Sequence, residues 1–205
     1  VTALVQVHAK PPRPGTSKTR LGERVGHDVA AALAGAFLRD VFTLLRRVGV
    51  DGVLVTPEPH VDHGVDAAVW DQGDGDLGAR LERSFRRGLE SHAVVVALGA
   101  DSPGLPPSHL RALLGLARSH HAVMGPAADG GFWALGLRGC PEGSLAGLPW
   151  SRPDTAAATA ARFPGLVTAP GWWDVDEVAD LDRLRAEVSS DDAPHTWSIL
   201  RELRR

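Results

Sequence analysis

The chain has 205 residues, enough for one α/β domain with a real core over residues 1–205 and too few for two typical ones. A net charge of −3 with His neutral leaves no global basic field of the kind that binds nucleic acid. No apolar run approaches the roughly 20 residues that span a bilayer, the N-terminal stretch lacks the pattern of a signal peptide, and the single cysteine, Cys140, excludes an intrachain disulfide and a thiolate metal cage.

The expectation from these facts is a cytoplasmic protein with no membrane and no nucleic-acid partner. Along the chain, apolar runs rich in β-branched residues alternate with segments of helical period. Ala3–His8 reads as a buried first strand. A Pro/Gly loop follows at Pro11–Ser17, and Asp28 is the expected N-cap of a long helix with Val29, Leu33, Phe37, Val41, Leu44 and Val48 on its apolar face, ended by Gly49. Strands are expected at Gly52–Thr56, Ala67–Trp70, Ala93–Leu98, Ala122–Met124, Phe132–Leu137 and Leu166–Thr168. Helices are expected at Leu77–Leu89, Ser108–Ser119, Asp154–Arg162, Val178–Glu187 and His195–Leu203. Such alternation predicts a mostly parallel sheet with helices on both faces, and in such sheets ligands bind beyond the carboxyl ends of the strands.

That rule selects four loops, and an acidic segment, Gly171–Leu181, is a further candidate. The loop Ala9–Arg20 places Lys10, Arg13, Lys18 and Arg20 around a turn at Gly15, a set of fixed cations suited to a polyphosphate. It is neither a P-loop, because Ser17 stands where Gly should precede Lys-Thr, nor a dinucleotide fingerprint, because it has one glycine. A plain solvated basic loop is the competing reading. Asp101, in Leu98-Gly99-Ala100-Asp101-Ser102-Pro103, follows the most apolar strand and should project from its carboxyl edge, a position that suits Mg²⁺. It could equally cap a turn before Pro103.

Asp174 and Asp176 point the same way if their segment is extended; Asp176 could also be an ordinary helix cap. Asp129-Gly130-Gly131 is a strong turn signal that would let backbone approach a ligand closely. The Gly-rich loop Asp71–Arg80 could set Gln72 against a planar base or be an Asp-rich turn. His60, His63, His120 and His121 lack convincing zinc partners and read as surface or loop residues, and Cys140 reads as structural.

The ordered set is recognisable as a whole. It comprises Ala9-Lys10-x-Pro12-Arg13-Pro14-Gly15-x-x-Lys18-Thr19-Arg20-Leu21, Gln72-Gly73-x-Gly75-Asp76-Leu77-Gly78-x-Arg80, Gly99-x-Asp101-x-Pro103, Gly125-Pro126-Ala127-x-Asp129-Gly130-Gly131, Pro149-Trp150-Ser151 and Asp174-Val175-Asp176-x-x-x-Asp180-Leu181. Over nearly the whole chain it resembles the DUF2064 family, which carries labels such as rSAM/selenodomain-associated transferase and arsenosugar-biosynthesis-type glycosyltransferase.

The resemblance implies a GT-A-like (nucleotide-diphospho-sugar transferase) α/β/α sandwich with a mostly parallel mixed sheet. It also implies a layout related to that of the phospholactate and molybdenum-cofactor guanylyltransferases. By that analogy Lys18 and Arg20 hold phosphates. Asp101 and Asp176 hold Mg²⁺, or Mn²⁺ in its place, with Asp174 in reserve. Ala9, Lys10, Arg13 and Gly15 belong to the nucleotide loop, and Gln72 with Gly78 faces the base. The loop lacks the Gly-rich signature of sugar-phosphate nucleotidyltransferases, and the Asp101 motif lacks the Asp-x-Asp of many glycosyltransferases.

Three functions stay open. In nucleotidyl transfer a phosphate or phosphonate on a small acceptor attacks the α-phosphorus of an NTP. In glycosyl transfer an NDP-sugar is the donor, with Asp129 the one nameable base. The third is non-catalytic nucleotide binding. The expected partners are a nucleotide and a small-molecule acceptor, with a homodimer left open.

Overall fold

The computed structural model describes residues 2–203; Val1, Arg204 and Arg205, included in the single-domain expectation, lie outside the described residues. A seven-stranded sheet runs in the order β3-β2-β1-β4-β6-β5-β7. The strands are β1 (Ala3–His8), β2 (Asp51–Thr56), β3 (Ala68–Asp71), β4 (Val94–Gly99), β5 (Ala122–Pro126), β6 (Phe132–Leu137) and β7 (Val167–Thr168). Only β6 is reversed: it runs antiparallel to both β4 and β5, while every other neighbouring pair is parallel.

Alternation along the strands sorts the core into two layers. Val5 and Val7 of β1, with Val94, Val96 and Leu98 of β4, pack under α2 (His27–Val48) and α4 (Pro107–Leu116). Val95 and Ala97 face the other way, against Leu81 and Phe85 of α3 (Leu77–Leu89) and the flank of α5 (Thr155–Arg162). Gln6 also points to that side, where its amide donates to the Ser84 carbonyl at 2.6 Å. The result is the GT-A-like three-layer α/β/α sandwich that the resemblance implies.

A third apolar cluster closes one end. It joins Leu21 of α1 (Thr19–Val25), Leu33 and Phe37 of α2, Leu181 and Leu184 of α6 (Val178–Glu187), and Leu200 of α7 (Pro194–Glu202).

Several boundaries move. The long helix starts at His27 behind Gly26, and Asp28 sits inside its first turn, where a carboxylate meets the positive end of the helix dipole instead of capping it. Gly49 ends that helix in the left-handed conformation, with its N–H on the Arg46 and Leu45 carbonyls. The short helix α1 was not expected at all. Its sequence, Thr19-Arg20-Leu21-Gly22-Glu23-Arg24-Val25, carries little helical signal, and burial of Leu21 against α2 and α6 is what stabilises it. His63 is a loop residue as expected, but it is buried, with Nε2 bonded to the Glu58 carbonyl at 2.8 Å.

One polar contact ties the C-terminal helix to the body. Asp40, in the middle of α2 and 1% exposed, accepts from the backbone N–H groups of His195 and Thr196 at 2.9 and 2.8 Å and from Thr196 Oγ1 at 2.6 Å. It caps the first turn of α7 from another helix. Burial pushes this carboxyl above the usual range, and the three donors oppose that rise without cancelling it.

Candidate active site

The carboxyl ends of β1, β4, β5 and β7 deliver the polar residues to one cleft. After β1, the loop folds on itself: Ser17 Oγ donates to the Pro11 carbonyl at 2.8 Å and accepts from the Arg13 N–H at 3.1 Å. Lys18 then takes a left-handed backbone, φ 49 and ψ 49, and α1 starts behind it. This turns the Lys18 side chain inward, where it is 7% exposed.

Its ammonium meets Asp176 Oδ1 at 2.6 Å and Asp101 Oδ1 at 3.0 Å. Burial pushes the amine's value down; the two carboxylates outweigh it and hold Lys18 above its ordinary value. The acids themselves remain open to the cleft, with side chains 52% and 46% exposed.

The backbone locks that pair in place. Val175 N–H donates to the Asp101 carbonyl at 2.9 Å, and Ser102 Oγ to the Trp173 carbonyl at 3.1 Å. Val175 is fully buried, so the extended segment presents Asp174 and Asp176 on its opposite side. Asp180 then accepts from the N–H groups of Asp176 and Glu177 and completes the capping box of α6.

The cleft has a volume of about 680 Å³, and its walls include Ala9, Lys10, Lys18, Arg20, Asp101, Asp129, Asp174 and Asp176. A second, smaller chamber of about 240 Å³ opens beside it, walled by Leu77, Phe132, Trp133 and Trp150. The two share Asp101, Asp129, Asp174, His8, Ser151 and Arg152. Burial and the neighbouring charges of Asp176 and Asp129 push Asp174 up to about 6.

Some expected residues stand elsewhere. Arg13 turns to Glu58, with nitrogen–oxygen distances of 2.7 and 2.9 Å. Gln72 engages Arg83 through its carbonyl at 2.6 Å. Gly78 packs on the Leu145 carbonyl and the Trp150 ring so closely that an added Cβ would lie 2.5 and 2.9 Å from them. Arg13, Gly15, Gln72 and Gly78 line neither chamber.

Sequence reasoning assigned no role to His8, Ser151 or Arg152. Ser151 (φ 58) and Lys18 are the two non-glycine residues with positive φ among the described residues, and both face this cleft. Strained backbone of this kind gathers at functional sites. The Ser151 loop is clamped by Thr155 Oγ1 to the Pro149 and Arg152 carbonyls, and Pro153 sits directly on Gly130. The signal available in sequence was the Pro149-Trp150-Ser151 motif, whose chemistry is not legible without its neighbours.

His8 ends β1 at the junction of the chambers, and burial pushes its imidazole down to about 4, so it is neutral at working pH. A histidine whose folded value lies below its unfolded value stabilises the fold fully above about pH 6.5, and that stability is lost as pH falls toward 4. Wild type is therefore expected to lose about 3 kcal/mol more than His8→Gln between pH 7 and pH 4. Urea unfolding of both proteins at the two pH values checks this; equal losses would place His8 outside the acid response.

The donors can be tested against a divalent cation. Asp101 and Asp176 each set one hard carboxylate oxygen against the same ammonium, and Mg²⁺ takes one or two carboxylates, filling the rest of its shell with phosphate and water. Among the described residues no group of three or more His, Cys, Asp or Glu could hold a metal ion. The set fits a cation shared with a phosphate rather than one caged by protein alone.

Fold and comparisons together define the class: this is a transferase enzyme with a GT-A-like, nucleotidyltransferase-type fold. The family model of an uncharacterised protein conserved in bacteria, DUF2064, matches residues 46–152. A phosphoenolpyruvate guanylyltransferase of Conexibacter woesei is 33% identical over 215 residues, covering 92% of each chain. The chain belongs to the DUF2064 family.

A crystal structure from Desulfovibrio desulfuricans G20, described as a nucleotide-diphospho-sugar transferase, is 30% identical with a TM-score of 0.86, covering 98% of this chain and 95% of that one. A CMP:2-keto-3-deoxy-manno-octonic acid synthetase complexed with CTP shares the fold at 15% identity, with a TM-score of 0.57 over 91% of this chain and 98% of that one.

Proposed function

We propose that this protein is a divalent-metal-dependent nucleotidyltransferase acting in the cytoplasm. It moves the nucleoside monophosphate of an NTP, with GTP the first candidate, onto a small phosphate-bearing acid of the phosphoenolpyruvate type. The observation that carries the reading is the Lys18–Asp101–Asp176 cluster on the wall of a cleft that Lys10, Arg20 and Arg152 also line. The guanylyltransferase relative supports the choice of donor and acceptor.

In this reaction an acceptor phosphate oxygen bonds to the α-phosphorus, the bond from that phosphorus to the bridging oxygen breaks, and pyrophosphate leaves. No side-chain nucleophile is needed, so the residues act by positioning and by charge. Lys10, Lys18 and Arg20 hold the polyphosphate, and Arg152, which lines both chambers, is assigned to the acceptor. Asp101 and Asp176 hold the metal, Mg²⁺ or Mn²⁺, with Asp174 beside them. When bound, that ion supplies Lewis-acid polarisation of the phosphoryl oxygens. Asp129, whose Oδ1 is occupied by the Gly131 N–H at 2.8 Å, orders the turn between the chambers.

Glycosyl transfer is the second reading, and one observation favours it. Arg13 pairs with Glu58, which takes one of the four loop cations away from the donor. Products decide between the two: GTP and phosphoenolpyruvate with Mg²⁺ should release pyrophosphate. A nucleoside diphosphate released from an NDP-sugar, with no pyrophosphate from any NTP, would overturn nucleotidyl transfer.

A further inference from the structure

Lys18 occupies the space that a bare cation bound to Asp101 and Asp176 would need. Its ammonium lies 2.6 and 3.0 Å from one oxygen of each acid, on a side chain that is 7% exposed. A divalent ion taking those same oxygens at about 2.0–2.1 Å would sit against the ammonium that already holds both. The repulsion between two such charges in a partly dry pocket is strong.

Nor is the lysine there by relaxed geometry. Its left-handed backbone costs roughly 1–2 kcal/mol for a residue with a side chain. The pairing with the two acids is what sustains it.

We infer that Lys18 is a built-in occupant of the cation site, so that the protein takes its divalent ion as a metal–nucleotide complex and resists the free ion. This rests on the reading of Asp101 and Asp176 as the metal's carboxylates. A free ion must expel the ammonium with nothing to receive it. A metal–nucleotide complex brings the anion that receives it, because the cleft wall beside Lys18, formed by Thr16, Thr19 and Arg20, is where a polyphosphate would lie. The lysine then passes from the carboxylates to the phosphates as the ion enters.

Mn²⁺ titration followed by electron paramagnetic resonance tests this on wild type, Lys18→Met and Lys18→Gln. Without nucleotide, both variants should bind Mn²⁺ at least about tenfold more tightly than wild type, since a buried like charge has been removed. With GTP present, the same variants should bind the Mn²⁺ complex more weakly than wild type. Unchanged or weaker binding of free Mn²⁺ in both variants would overturn the role of Lys18. Wild type that binds no Mn²⁺ even with GTP would overturn the metal reading itself. If circular dichroism shows that neither variant folds, acylation of the Lys18 amine in wild type, followed by mass spectrometry, gives the same answer. At an Mn²⁺ concentration that saturates the protein in the presence of GTP, Mn²⁺ alone should leave the rate unchanged while Mn²⁺ with GTP changes it; an equal change with Mn²⁺ alone would sink the inference.

Discussion

Asp101→Asn should lower the rate of pyrophosphate release from GTP with phosphoenolpyruvate by about a hundredfold to a thousandfold, while the protein stays folded. The size follows from what is lost: one full negative charge at the point where, in the proposed reaction, phosphate, cation and Lys18 meet, a position where removing a single electrostatic group typically costs that much. The survival of the fold follows from the surroundings. Asp101 is half exposed, so its replacement leaves no buried hole. Lys18 keeps Asp176 at 2.6 Å, and the Asp101 carbonyl still accepts from Val175. Asparagine has nearly the same shape, so the loop need not move. Steady-state kinetics and urea unfolding of the same preparation separate the two effects. A variant with more than a tenth of wild-type activity would remove this carboxylate from the chemistry.

Asp40→Ala should be among the most costly substitutions for stability, lowering the unfolding free energy by about 3 kcal/mol. Three donors around α7 lose their acceptor at once, in a place where water has little access. The damage should be local as well as global, because α7 is a short helix held to α2 by this cap and by the cluster around Leu200. Hydrogen exchange should therefore show Trp197–Leu200 losing protection before the sheet does. A loss below about 1 kcal/mol would mean that solvent or a neighbouring group replaces the carboxylate.

What could be read in the sequence was set by local pattern. Ala3–His8 and the run ending at Leu98 announce themselves as buried strands because both faces of a parallel strand are covered, and the helices α2 and α3 carry clear spacing. Once the strands were placed, their carboxyl ends pointed to the loops holding Lys18, Asp101 and Asp129.

The rest depended on contacts between distant segments. Nothing local distinguishes Asp40 from a surface acid in a helix, yet it caps a helix some 155 residues away. Leu21 makes α1 helical only because α2 and α6 cover it. Arg13 read as a phosphate ligand by its neighbours in sequence, and Glu58, its partner in space, could not be foreseen. The left-handed turn at Ser151 leaves no mark in composition, since serine is not the residue that such a turn prefers.

The order of the strands has a consequence for how the chain is made. β1 lies inside the sheet with β2 on one flank and β4 on the other; Leu4 pairs with Asp51 and with Val95. Synthesis delivers β1 long before β4, so during translation one edge of a largely apolar strand waits for a partner, and β4 in turn waits for the reversed β6. Pairings between segments so far apart form slowly, and an open strand edge is a template for other chains. A nascent polypeptide stalled just short of Val94 should be sticky, and one released beyond Leu137, with both neighbours of β4 in hand, should not.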